Sequence, residues 1–174
     1  MENTQGTLQY IAGLFEGEGS VSLSPIRART RKGKEMEQIR SAVYITNTDV
    51  KLIQIVIDFL KQNNWSYYVR TDIRPGNKVC YNLQLTKQAE RLDFLKLLLP
   101  HLFGDKKQLA EVVISYLEHR VKVAKQWQVE RGGDGQYKTG VGSSYTEVEL
   151  KLYQQYKVLK DTSETKCKIP VTFG

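Results

Sequence analysis

Cysteine is scarce. Cys80 and Cys167 are the only two in 174 residues, and they form neither a framework nor a CxxC pair. A fold built on disulfides is excluded, and a reducing, intracellular setting is expected: a prokaryotic cytoplasm, or an organelle interior if organelle-encoded. Long apolar runs are also missing, so no transmembrane span is expected. The opening Met-Glu-Asn-Thr-Gln-Gly has neither the basic nor the apolar region of a signal peptide, so no leader is expected. Acids are the third shortage. Nineteen Asp and Glu against 26 Lys and Arg leave a net charge of +7 and a pI of about 9.3. That balance favours an acidic partner, with nucleic acid first and a membrane surface second. The membrane loses ground because no long helix pairs an Arg/Lys face with an apolar Trp/Phe/Leu face. What is present suits a globular protein: 40% hydrophobic and 26% charged residues, in a length ordinary for one domain.

Periodicity then divides the chain. Thr7 is placed to cap a helix carrying Leu8, Ile11, Ala12, Leu14 and Phe15, which Gly17 and Gly19 end. Val21 and Leu23 alternate with Ser20, Ser22 and Ser24 as a strand. A basic loop is expected next, with Arg27, Arg29, Arg31, Lys32 and Lys34. Ile39, Ser41, Val43 and Ile45 alternate with Gln38, Arg40, Ala42 and Tyr44 as a second strand. Thr48 or Asp49 caps a helix carrying Leu52, Ile53, Val56, Ile57 and Leu60. A second hairpin turns at Pro75-Gly76-Asn77, with Val69, Ile73, Val79, Tyr81, Leu83 and Leu85 on its apolar face. Helices are predicted over 89–98, 106–128 and about 146–160, the last after a glycine-rich loop holding Gly132, Gly133, Gly135, Gly140 and Gly142. The expected fold class is α+β, with α-β-β-α-β-β-α order and extra C-terminal helices. Residues 1–128 are expected to form the core, and 129–174 the loop and a helical tail.

Both hairpins have one apolar and one polar face, the pattern of an antiparallel sheet with one face on a helical core. The polar face is rich in hydrogen-bonding and basic side chains: Ser22, Ser24, Gln38, Arg40, Tyr44, Arg70, Arg74, Lys78, Asn82 and Gln84, with Asp72 as an acid among them. One reading is an ordinary solvated surface, although such a surface usually mixes both charge signs. The other is a sheet laid in a DNA major groove, which admits a two-stranded ribbon and lets Arg, Gln and Asn discriminate bases. Arg70 and Arg74 are then the guanine readers. Asp72 accepts from cytosine or orients an arginine, and the 27–34 loop meets phosphates.

The stretch IAGLFEGEGSV, residues 11–21, is chemically odd. Glu16 and Glu18 sit at a helix C-terminus, where the dipole makes each exposed acid cost on the order of 0.3–1 kcal/mol. Either both are solvated and the cost is tolerated, or a cation restores the balance. Oxygen ligands with few protein donors suit Mg²⁺, which keeps its waters and shares phosphate oxygens. Gly13 and Gly17, four apart with Ala12 beside them, would let a second helix backbone approach closely.

Residues 11–19, Ile-Ala-Gly-Leu-Phe-Glu-Gly-Glu-Gly, resemble the LAGLIDADG motif of homing endonucleases and intron maturases. Ile45-Thr46-Asn47-Thr48 before a helix and Lys106-Lys107-Gln108 opening a later one extend the resemblance over about residues 8–122. The resemblance implies a saddle-shaped sheet on DNA and motif helices paired at a two-fold axis through Ala12, Gly13 and Gly17. The motif occurs once, which implies a homodimer on a near-palindromic target. Glu18 becomes the metal carboxylate, with the Gly19 carbonyl beside it, and two or three Mg²⁺ are held per dimer, replaceable by Ca²⁺ or Mn²⁺. Asn47 becomes an organiser of water, and Lys51, one turn on, faces a phosphate. The family's lysine beside the scissile phosphate falls at Asp105 here, with Lys106 and Lys107 just after: a one-residue shift makes Lys106 that lysine, and without the shift the site has lost it. Three functions stay open at this level: a metal-dependent, site-specific DNA endonuclease, a maturase binding host-intron RNA, and a DNA-binding protein that has lost the chemistry.

Overall fold

The computed structural model describes residues 4–29, 35–73, 75–76, 78–130 and 146–166. Helix α1 (Thr4–Glu18) runs directly into β1 (Gly19–Arg29), and β1 pairs antiparallel with β2 (Glu35–Asn47) from Gly19↔Ile45 to Arg29↔Glu35. Helix α2 (Val50–Gln62) leads to β3 (Tyr67–Asp72) and β4 (Cys80–Leu85), then α3 (Gln88–Leu98) and a 3₁₀ turn at Leu99–His101. Two further helices follow, α4 (Gly104–Glu130) and α5 (Glu147–Lys166). The α+β class and the αββαββα order are as the sequence predicts.

The strand order is β1-β2-β4-β3, all antiparallel. Strand β4 takes the inner position beside β2, and it carries two fully buried leucines, Leu83 and Leu85. β3 has only half-buried and exposed residues and forms the edge. The period-2 pattern sends Val21, Leu23, Ile39, Val43, Ile45, Leu83 and Leu85 to one face, where Ile11, Phe15, Phe94 and Tyr116 of the helices cover them. Phe15 meets Phe94 edge-on at 5.5 Å. Arg91 is buried beneath the sheet and donates to the carbonyls of Leu85, Thr86 and Ser41 and to Ser41 Oγ, tying α3 to β2 and β4. Burial first, and the charge of Arg40 second, pull its pKa below the ordinary guanidinium value.

Several boundaries differ from expectation. α1 begins at Thr4, so Thr7 lies inside the helix rather than capping it. Arg27 and Arg29 lie in β1, because the hairpin pairing continues to Arg29↔Glu35 and replaces the expected loop start with strand. β3 stops at Asp72, which leaves Ile73 72% exposed rather than on the apolar face. Arg31, Lys32, Lys34, Arg74, Asn77 and the glycines at 132–142 lie outside the described residues.

The last helix is anchored. Thr146 and Glu149 form a reciprocal capping box at 3.2 Å each way, and Glu149 also pairs with Arg120 of α4 at 3.0 Å. Tyr156 of α5 donates to the Val21 carbonyl of edge strand β1 at 3.0 Å. Among the described residues, no helix is long and apolar enough to cross a membrane.

Candidate functional site

The motif helix ends in a tight joint. A Cβ at Gly19 would lie 2.1 Å from the Phe15 ring and 2.5 Å from the Phe15 carbonyl, so only glycine lets α1 turn straight into β1 here. The joint therefore fixes Glu18 where the helix meets the sheet, with its side chain exposed. Glu16 is half-buried, and its Oε2 is buried with no hydrogen-bond partner.

Helix α1 has no basic residue in its last turn. The missing charge comes from α4. Lys106 Nζ donates to the carbonyls of Phe15 at 2.9 Å, of Gly19 at 2.8 Å, and of Glu16. It also stands 5.8 Å from the centre of the Phe15 ring. Burial pulls the Lys106 pKa below the ordinary lysine value, while the charges of Glu16 and Glu18 act in the opposite direction. Of the two adjacent lysines, Lys106 is the one bonded to the motif.

Register brings the second strand's end to the same place. Gly19 faces Ile45, so Asn47 lies two residues beyond, at the sheet end where α1 enters. Its Oδ1 accepts from Asp49 N at 2.8 Å, and Asp49 Oδ1 in turn accepts from Lys51 N at 2.8 Å as the N-cap of α2. Asn47 thus spends its oxygen on local structure and keeps its amide Nδ2 as a donor. Lys51 is exposed in the first turn of α2, where the dipole disfavours a cation.

As a metal site, one chain is sparse. Among the described residues, no group of three or more His, Cys, Asp or Glu side chains could hold an ion. What this end offers is the exposed Glu18 carboxylate, the Gly19 carbonyl and a buried unpartnered oxygen on Glu16. An all-oxygen, incomplete set of this kind fits Mg²⁺ that keeps its waters and takes its remaining ligands from elsewhere.

The open face of the sheet forms rows. Ser20, Tyr44, Gln84 and Tyr68 stand in line across all four strands, and Thr46, Asn82 and Arg70 make the next row. Asn82 Nδ2 donates to Thr46 Oγ1 at 3.0 Å, which orients it beside Arg70. Ser24 faces Arg40, and Ser22 faces Ala42. Asp72, paired with Cys80, closes the far end of β3. Lys78 is exposed between the strands. Arg27 differs: it has the parity of Val21 and Leu23 and faces Glu37, so it is turned away from this row system. Tyr68, 59% exposed beside Gln84, is a polar-face residue that the sequence reading missed. Its period-2 spacing from Arg70 is the signal that could have found it.

On α1, a Cβ at Gly13 or at Gly17 would meet nothing within 4 Å among the described residues, so none of these requires glycine at either position. Tyr10, 45% exposed, lies one turn before Gly13 on the same stripe. Ala12 does not join them. It is 1% exposed and packs in its own core, because one residue along a helix is a turn of about 100°.

An acidic, glycine-jointed helix end feeding an antiparallel sheet with a polar open face defines an α+β protein of the LAGLIDADG architecture. Residues 6–98 match the family model of the LAGLIDADG-like domain, and the chain belongs to that family. Solved homing endonucleases share the fold. I-TnaI matches at TM-score 0.54 and 16% identity, over 91% of this chain and 96% of its own. The archaeal intron-encoded I-Vdi141I, complexed with DNA, matches at 0.53 and 15%, over 91% and 99%. The meganuclease I-SmaMI bound to DNA matches at 0.55 and 13%, over 92% of this chain but only 45% of its own. No curated protein sequence matches the chain.

Proposed function

We propose that this protein is a site-specific, metal-dependent DNA endonuclease that acts as a homodimer and makes a staggered double-strand break in a near-palindromic target. The observation that carries the reading is the motif end itself: an exposed carboxylate, a main-chain carbonyl and a lysine from a distant helix, gathered where α1 meets the sheet. The matched structures with DNA support duplex DNA as the partner. The I-SmaMI chain, of which this one spans less than half, supports two copies as the working unit.

Glu18 from each chain, the Gly19 carbonyl and DNA phosphate oxygens would hold the divalent ions, two or three per dimer. Bound there, Mg²⁺ supplies an activated water and offsets charge on the leaving oxygen. The rest is the chain's own work. Asn47 Nδ2 orients water at the end of β2. Lys106 places positive charge beside the scissile phosphate. Gly13, Gly17 and Tyr10 form the face on which the second copy packs. Arg70, steadied by Asn82, reads a base, while Tyr44, Gln84, Gln38 and Arg40 supply further contacts.

Incubation with a library of duplex targets and Mg²⁺ should give one discrete double-strand cut. Glu18→Gln should slow that cut by more than about 100-fold, beyond the usual cost of losing an outer-shell partner, with metal-free duplex binding kept. Cutting at near the wild-type rate would remove Glu18 from the mechanism. Arg70→Ala should relax preference at one position per half-site, at a cost of about 1–3 kcal/mol. An unchanged target profile would take base reading away from that residue.

A further inference from the structure

The role given to Lys106 above conflicts with what its ammonium does in this structure. It has three N–H donors and spends all three on carbonyls of the motif-helix end. To meet a phosphate it must release at least one of them. One is the Gly19 carbonyl, the same oxygen that the metal reading assigns to the divalent ion. Two cations sharing one carbonyl, with little water between them, repel strongly. Helix α1 itself contributes no basic residue at this end, while Glu16 and Glu18 add negative charge to its negative pole. The Lys106 ammonium is thus the cation that this end possesses before any metal arrives.

We propose that Lys106 is the resident counter-ion of the free chain: it holds the place of the divalent ion at the Gly19 carbonyl, and a phosphate of bound DNA opens the site by drawing the ammonium away. The inference rests on the metal reading of Glu18 and Gly19. The flexible four-carbon stem of lysine permits the exchange, since the ammonium can swing between carbonyls and a phosphate without moving α4. The consequence is ordered loading. Divalent ions bind the free protein weakly, and they bind well once DNA has engaged Lys106, each ligand helping the other by the same factor. Charge at the motif end is then balanced in both states, by one lysine off the target and by metal on it.

The test uses the full chain, Ca²⁺ alone and no DNA, with affinity read by calorimetry for wild type, Lys106→Met and the double variant Lys106→Met/Glu18→Gln. If the lysine leaves the site open about one-tenth of the time, Lys106→Met should bind Ca²⁺ roughly tenfold more tightly than wild type. Adding Glu18→Gln should abolish that gain. Should the Met variant not fold, Lys106→Gln carries the same comparison, because its amide still donates to two carbonyls without a charge. Equal, Glu18-dependent affinities in wild type and variant would overturn the inference and leave the metal reading standing. Affinities indifferent to Glu18→Gln would overturn the metal reading and the inference with it. No Ca²⁺ binding by the variant would also overturn the inference, since freeing the carbonyl then creates no site.

Discussion

The two helices that flank the first hairpin are finished in opposite ways. Helix α2 is closed locally. Asp49 caps its first turn, Asn63 closes its last through its own N–H and Nδ2, and Lys61 stands at the negative pole. Every one of these groups lies within a few residues of the end it serves. Helix α1 has acids at its negative pole, a glycine face toward solvent, and a C-terminus satisfied by a lysine 90 residues downstream of Glu16. The first arrangement is what stability alone selects. The second lowers local stability and makes the end depend on tertiary contact. That dependence places a charge-balanced and exposed carboxylate at a fixed point of the sheet.

The largest break in this contrast should come from Glu18→Gln. Activity should fall steeply as above, yet the stability of the free protein should change little, because the acid's repulsion from the negative pole and its attraction to Lys106 oppose each other. A large shift of the thermal melt in either direction would contradict that balance. Next come the two caps, compared directly. Lys106→Met leaves three carbonyls without their donor and should cost about 1–3 kcal/mol. Asp49→Ala should cost about 0.5–2 kcal/mol. Urea midpoints give both, and a larger loss at Asp49 would mean that α1 does not rely on its distant cap. Gly13→Leu sharpens the contrast in another way. With nothing among the described residues within 4 Å of its Cβ, it should leave the single chain folded while dimer is lost, as sedimentation would read. An unaltered dimer would remove this face from the interface.

The smallest effect concerns the exit from α2. Glu90 accepts from Ser66 N at 2.8 Å, from Ser66 Oγ and from Lys87. Burial acts to raise its pKa, but these bonds and the Lys87 charge outweigh burial and hold it below the ordinary carboxylate value. Its contribution is therefore present above the unfolded pKa and is lost as pH falls through the lower folded one. Melting temperature should drop slightly more steeply below about pH 4 in wild type than in Glu90→Gln. Parallel curves would show that Glu90 does not report on this joint.

Much of this was legible in the chain, for a common reason. Helix and strand periods are local, so the alternation of Val21, Leu23, Ile39, Val43 and Ile45, a helix cap at Thr48 or Asp49 and the motif around Glu18 could be read residue by residue, and the structure chose Asp49. Ala12 went astray because adjacency in sequence is not adjacency on a helix face. Arg27 and Arg29 went astray because pairing with β2 extends a strand past the point where its hydrophobic pattern stops.

The sequence by itself determined the order of elements, the two-faced sheet and the acidic glycine joint, since each depends on neighbours within a few residues. Tertiary structure alone decided that β4 lies beside β2, that the buried charge of Arg91 fastens α3 beneath them, that Tyr156 binds the edge carbonyl of Val21, and that Lys106 closes the motif helix. These contacts join residues 34 to 135 positions apart. Periodicity carries no information at such distances, and only the packing of a shared core selects among the many lysines and strands that could have met.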